Sequence, residues 1–306
     1  MRQRGVALIV VLWVVALLSL LAASFGLGVR REARLAAYHV GLPQWRAAAE
    51  AAVHYAAYRL RLSDPQWRWQ VDGRVYHWHW QGLPVELRLA DESGKVDLNR
   101  APATLLQVAL QLAGAEADQA VALADAILDW RDGDDATRPH GAEAATYAAA
   151  GLDYGPANRP FQAVEEVGMV LGMTPALTRA LLPWVTIHSH RQGINPASAP
   201  PALLRALPGI DPQVVENFLQ GRRRGENPPF PALPGVPLYR GRTQMVSMQL
   251  RVARRYSLQV TAQIRAGRVD YLEWQEVPLG NEWFTEAGAE TSSADSAASP
   301  EAMTRR

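Results

Sequence analysis

Four carboxylates crowd seven residues near the middle of this chain, in the run Asp129-Trp130-Arg131-Asp132-Gly133-Asp134-Asp135. The preceding segment, Val121 to Trp130, reads as a helix, so Asp129, Asp132, Asp134 and Asp135 fall at its C-terminal end. That is the negative end of the helix dipole, where anions are disfavoured. Their mutual repulsion adds to the cost. A bound cation relieves both. Hard oxygen ligands, with Asp at alternating positions around a glycine, suit Ca2+. Glu143, Tyr147 and Asn158 follow. Glu143 stands twelfth counted from Asp132, but no glycine stands sixth and Pro139 and His140 interrupt, so the loop is not an EF-hand. The plainer alternative is a solvated acidic loop.

Other chemistries find less support. There is no cysteine, which excludes a thiol nucleophile, thiolate zinc, iron–sulfur ligation and a disulfide scaffold. Of 31 basic residues only Lys95 is lysine. No nucleophile–base pair, phosphate loop or zinc motif is present, so the chain is not expected to be an enzyme. His77 and His79 share one face of an expected strand; polar surface explains them more simply than a metal does. The run Leu207-Pro208-Gly209-Ile210-Asp211-Pro212 resembles a helix-hairpin-helix, with Arg222, Arg223 and Arg224 downstream. Such hairpins hold a DNA phosphate on their amides, and Asp211 stands where a second glycine is usual. A membrane-anchored helix-hairpin-helix DNA-binding protein is therefore the alternative function.

The whole-chain composition is that of a globular protein: 306 residues, 48% hydrophobic, 20% charged, net charge +1. This excludes a uniformly basic nucleic-acid binder. The average hides four blocks. Residues 1–90 carry 11 basic and 5 acidic side chains, 91–190 carry 6 and 14, 191–275 carry 12 and 5, and 276–306 carry 2 and 6. One acidic block between two basic ones marks a region with its own task.

The elements that must position these residues follow from periodicity. From Val6 to Leu27 the chain is almost continuously apolar, long enough to cross a ~30 Å hydrocarbon core as a helix. Arg30 to Leu62 continues as an amphipathic helix, with Trp45, Ala49, Ala52, Val53, Ala56 and Leu60 at spacings of three and four. Trp67–Val71, Val75–Trp80 and Val85–Leu89 read as strands, with Asp72-Gly73 as a hairpin turn. Ser257–Ile264 and Val269–Trp274 read as returning strands around a turn at 266–268. Between them lies a helical region. Leu98-Asn99-Arg100-Ala101-Pro102 and Ile194-Asn195-Pro196-Ala197-Ser198-Ala199-Pro200 share one pattern there, a weak internal duplication. The expected class is α+β, a sheet domain interrupted by an all-α insertion.

The basic leader Arg2-Gln3-Arg4-Gly5 followed directly by the apolar run resembles a class III, type IV pilin-like leader. The ordered set Asp129-Trp130-Arg131-Asp132-Gly133-Asp134, Gly141-Ala142-Glu143, Tyr147, Asn158, Glu166 and Gly172-Met173 resembles the minor pseudopilin K family of type II secretion. Ile194-Asn195-Pro196-Ala197-Ser198-Ala199 resembles a further segment of that family, with Pro196 and Ser198 as departures. The resemblance covers about residues 1–275. It implies cleavage by a prepilin peptidase between Gly5 and Val6, methylation of the new N-terminus and a single-pass inner-membrane protein with its globular domain in the periplasm. It implies a long pilin-like helix packed on an antiparallel sheet, with the all-α insertion between strands. It also implies bound Ca2+, for which Asp129, Asp132, Asp134, Asp135, Glu143, Asn158 and Glu166 are the candidate ligands. Implied partners are the I and J minor pseudopilins, other pseudopilins and secreted cargo, without nucleic acid. Pilins carry Glu at the fifth mature residue; here that position is Val10, as in the subunit that has no neighbour above it. The expected organisation is leader 1–5, membrane helix 6–27, helix and first strands 28–96, helical insertion 97–235, returning strands 236–280 and a disordered tail 281–306.

Overall fold

The structure, a computed structural model, describes residues 4–64, 66–226, 228–241, 244–265 and 268–278. Within the first helix the side chains described are those of 11–21, 24 and 41 onward. That helix, α1 (Arg4–Arg61), is continuous through Pro43. Its C-terminal part carries a stripe of small residues, Ala48, Ala49, Ala52, Val53 and Ala56, all fully buried. Small side chains at this spacing let the helix lie close against a sheet. Its described N-terminal part does the reverse. Every residue from Val11 to Leu21 is exposed, with Trp13 at 71% and Leu20 at 76%. Ser19 and Ser24 donate their hydroxyls back to Val15 and Leu21 carbonyls, so these polar groups need no water. Residues 6–10, 22, 23 and 25–27 of the expected membrane span lie outside the described side chains. Among the described residues no helix is long and apolar enough to cross a membrane. Arg2 and Gln3 of the leader, and the tail from 279, also lie outside the described residues.

After α1 come β1 (Asp72–Trp80) and β2 (Leu83–Asp91), then the insertion, then β5, β6 and β7. The insertion contains β3 (Val96–Asp97), α2 (Ala103–Leu112), α3 (Ala117–Arg131), α4 (Ala144–Ala149), α5 (Pro175–Leu181), β4 (Val185–Thr186), α6 (Pro201–Arg205) and α7 (Pro212–Arg223). The last strands are β5 (Met245–Val252), β6 (Tyr256–Arg265) and β7 (Arg268–Glu276). One antiparallel sheet runs β1-β2-β5-β6-β7. β2 pairs directly with β5, so Asp91 faces Val246 across the point where the chain leaves the sheet and returns. The insertion thus replaces one hairpin loop, and its size leaves the ladder intact. Val85, Leu87 and Leu89 alternate inward with Val246, Met248, Leu250 and Val252, and cover the α1 stripe. The insertion has a separate core around Leu105, Leu106, Ile127, Trp130, Tyr147, Leu203 and Leu219.

Two local expectations are corrected. Asp72-Gly73 is not the hairpin turn. The β1–β2 turn is Gln81-Gly82, both at positive φ (47° and 80°), the primed geometry that matches strand twist. Asp72 instead begins β1 beside a register shift, its carboxylate accepting from the Arg74 amide. Trp67–Val71 is not a strand, because tertiary contacts hold it against the helix. The Trp69 amide bonds the Arg59 carbonyl, and Tyr55 and Tyr76 stack around the Trp69 ring. β5, which went unread in the sequence, is the central partner of β2; its strict alternation was legible.

The two segments with the shared pattern are held by similar contacts. Arg131, at the end of α3, donates to the Leu98 and Ala101 carbonyls. Arg222, near the end of α7, donates to the Pro196 and Ala199 carbonyls at 3.0 and 2.7 Å. Each arginine closes a three-residue span ahead of a proline N-cap, Pro102 or Pro200. Two helical hairpins are therefore fastened to their entry turns by the same device. Each guanidinium satisfies carbonyls that burial would otherwise leave unpaired.

Candidate functional site: a buried carboxylate cluster

The α3 helix carries Asp129 into the insertion core beside Trp130, and Asp129 is 0% exposed. The chain then loops from Asp132 to Glu143 and folds back over it. Gly141 makes this return possible, because a Cβ there would lie 2.0 Å from Asp129 Oδ2. Arg138, on the loop, places Nη1 2.5 Å from Asp129 Oδ1 and 2.5 Å from Asp132 Oδ2. Its backbone amide also donates to Asp129 Oδ2 at 3.3 Å. One guanidinium therefore bridges two of the expected ligands. The charge it neutralises is a fully buried one, so removing Arg138 alone would leave a buried charge unanswered and cost more than losing a surface ion pair.

Glu143 shows that this neutralisation is incomplete. It is 5% exposed, and neither of its carboxylate oxygens has a hydrogen-bond partner; Asp132 Oδ1 is in the same state. Burial, and then the charges of Asp129, Asp132, Asp135 and Asp134, push the Glu143 carboxyl above the usual carboxylate range. A buried carboxylate with no partner is costly and needs an explanation. Among the described residues no three acidic or histidine side chains already stand in metal-ligand geometry. The reason lies in the contacts above: Arg138 occupies the space between Asp129 and Asp132. The orphaned oxygens of Glu143 and Asp132 are hard donors, the class that a divalent cation such as Ca2+ takes, and no soft ligand is among them.

The remaining candidates are placed as follows. Asp134 and Asp135 are exposed on the loop, and Asp134 Oδ1 accepts from the Ala136 amide. Asn158, at φ 49°, directs its amide to Asp135 Oδ1 at 3.4 Å. Glu166 is committed elsewhere, to Arg159 at 3.0 Å and to the Gln162 amide at 2.9 Å. Tyr147 is fully buried and its hydroxyl accepts from the Leu171 amide, which ties the loop to the segment after α4. Sequence reasoning missed Arg138. Its only signal there was a single cation within an acidic run.

The helix-hairpin-helix candidate has another task. Asp211 is the N-cap of α7, its carboxylate accepting from the Gln213 amide at 2.8 Å. The amides that a phosphate would need are thus already engaged by an anion.

The family model for the type II secretion system (T2SS), protein K, matches residues 87–190. Type II secretion system protein K of Klebsiella pneumoniae is 30% identical over 254 residues, covering 72% of this chain and 76% of that protein. The protein of the same name from Pseudomonas aeruginosa is 30% identical over 250 residues, covering 72% and 73%. Among solved structures, a chain in the crystal structure of the GspK-GspI-GspJ complex from enterotoxigenic Escherichia coli superposes with a TM-score of 0.54. It is 16% identical, and the match covers 77% of this chain and 95% of that one. That identity supports the fold alone; the longer, closer matches carry the family. This chain belongs to the type II secretion system protein K family, as a minor pseudopilin of the export machinery with a structural rather than enzymatic role.

Proposed function

We propose that this chain caps the tip of the pseudopilus, in a complex with the I and J minor pseudopilins, and nucleates that short filament for protein export across the outer membrane. Prepilin peptidase would cut between Gly5 and Val6, and the methylated helix would remain in the inner membrane with the globular domain in the periplasm. The capping role rests on one observation. A large insertion grows from the central β2–β5 hairpin, while Val10 stands where filament subunits carry Glu. An intramembrane carboxylate is kept where a neighbour answers it; a terminal subunit has no such neighbour on one side. The exposed Val11–Leu21 surface is what such a helix offers to lipid and to adjacent pseudopilin helices. Co-expression with the I and J proteins of its own system should yield a stable ternary complex in detergent. Recovery of this chain alone, with the other two pairing normally, would overturn the assignment.

Ca2+ belongs to the same proposal, held by Asp129, Asp132 and Glu143 with the loop carboxylates of Asp134 and Asp135 and the Asn158 amide oxygen nearby. When bound it supplies the positive charge that Arg138 supplies only in part. Arg138 then competes with the ion. Arg138→Gln should lower the melting temperature of the metal-stripped chain, since Asp129 loses its counter-charge. The same substitution should tighten Ca2+ binding by about tenfold or more, since a charge-assisted contact of roughly 1.5–3 kcal/mol no longer has to be broken. Calorimetric titration separates the two effects; affinity that falls or stays constant would show that Arg138 and the ion do not compete.

A further inference from the structure

The insertion meets the sheet along a groove made of three adjoining cavities. The largest, about 870 Å³, is lined in part by Arg100, Arg131, His188, His190, Arg265 and Leu272. A second, about 580 Å³, shares Arg100 and Arg131 with it. A third, about 180 Å³, shares His190 and Arg265 and adds Arg191. The three cavities lie side by side and share these walls. Four arginines and two histidines line them against two carboxylates, Asp132 and Asp91. Asp91 is engaged by the Ser93 amide and the Ser198 hydroxyl, and Asp132 by Arg138 through Oδ2 alone. Among the described residues Arg100, Arg131 and Arg265 pair with no carboxylate. Two further acids lie near this wall: Asp97 is 1% exposed and held by the Asn99 and His190 amides and the Ser189 hydroxyl, and Glu273 lies 3.3 Å from His188 Nε2. Phe161, Ile187, Met245 and Leu272 add apolar lining between the charges.

We propose that this groove binds an acidic, extended polypeptide segment of another protein, with Arg100 and Arg265 taking its carboxylates and the apolar wall taking the intervening side chains. Arginine forks match carboxylates geometrically; Arg100 and Arg265 are exposed and in no ion pair among the described residues, and Arg265 has the neutral Gln263 amide as its neighbour. A nucleic acid is the weaker fit: its regular phosphate repeat has no use for the apolar lining, and the acidic loop at Asp132 borders the same cavity. The site is read on the single chain and does not depend on tip assembly.

Fluorescence anisotropy on the full chain in detergent tests this, with three labelled probes. One is a short peptide of alternating glutamate and leucine, one is its lysine–leucine counterpart, and one is an oligothymidylate. The acidic peptide should bind, with affinity falling as salt is raised. The double variant Arg100→Glu/Arg265→Glu should weaken it by at least tenfold while leaving the melting temperature unchanged, since both side chains are exposed. Arg179→Glu, on the surface of α5, should have no effect. Equal binding of the lysine peptide, an unaffected double variant or a preference for the oligothymidylate would each overturn the proposal. If the double variant loses its fold, Arg100→Gln/Arg265→Gln gives the same readout without charge reversal.

Discussion

Adding Ca2+ to the metal-stripped full-length chain is expected to raise its melting temperature by about 5–10 °C, and Glu143→Gln should abolish that rise. The magnitude follows from linkage. An ion present at a hundred times its dissociation constant contributes about 2.7 kcal/mol to the folded state. For a folded region of this size each kcal/mol moves the midpoint by roughly 2–4 °C. Glu143 is the chosen position because both its oxygens are buried without a partner. In chelator the same substitution should act in the opposite direction. A neutral amide removes a buried charge that burial and four neighbouring carboxylates disfavour, so Glu143→Gln should melt at or above the stripped parent. Thermal scans of both proteins, in Ca2+ and in chelator, give four midpoints. Parallel responses of the two proteins to Ca2+ would remove Glu143 from the site; no response in either would remove the ion.

Lys95→Met should cost about 3–5 kcal/mol, the loss expected when one member of a buried ion pair is removed and the other stays charged. The only lysine lies where the chain leaves the sheet for the insertion. Its Nζ is 2.7 Å from Glu92 Oε1, and the Glu92 side chain is 3% exposed. Burial alone would raise the Glu92 carboxyl, but Lys95, with the Ser247 and Thr186 hydroxyls, holds it below the usual carboxylate range. Glu92 thereby ties the start of the insertion to β5 and β4. A depressed carboxyl contributes stability above its unfolded pKa of about 4.3 and loses it as pH falls through the folded value. Acid should therefore weaken the parent at this joint. Denaturant midpoints report the loss, and Glu92→Gln/Lys95→Met should recover much of it. A single-variant change within about 0.5 kcal/mol would mean that the pair does not hold the joint.

These two sites differ in how far the sequence revealed them. Asp129 and Asp132 were recognisable because the repulsion of carboxylates at a helix end poses a local problem, and local problems are visible in one dimension; Glu143 entered through the family resemblance. Glu92 and Lys95 look unremarkable as text. Their importance comes from burial between two cores, which no window of the chain displays. The same division applies to the strands. β6 and β7 could be read from alternation, while the segment 67–71 alternated and still failed to become a strand, because Tyr55, Arg59 and Tyr76 captured Trp69. Glu166 had the right chemistry and the right family context, yet Arg159 takes it.

By itself the sequence determined the class and the plan: an apolar helix continuing into an amphipathic one, strands before and after a helical insertion, no thiol chemistry, and an acidic loop in want of a cation. Each is set by composition or by a period of two or 3.6, which are properties of neighbours along the chain. Only the tertiary structure decided that the insertion replaces a single hairpin loop between β2 and β5, that Arg138 bridges Asp129 and Asp132 while Glu143 stays unpaired, and that Arg100 and Arg265 line one cavity at the junction of insertion and sheet. These are contacts between segments far apart in sequence, settled by how two cores pack and by which buried charges remain unanswered once they have.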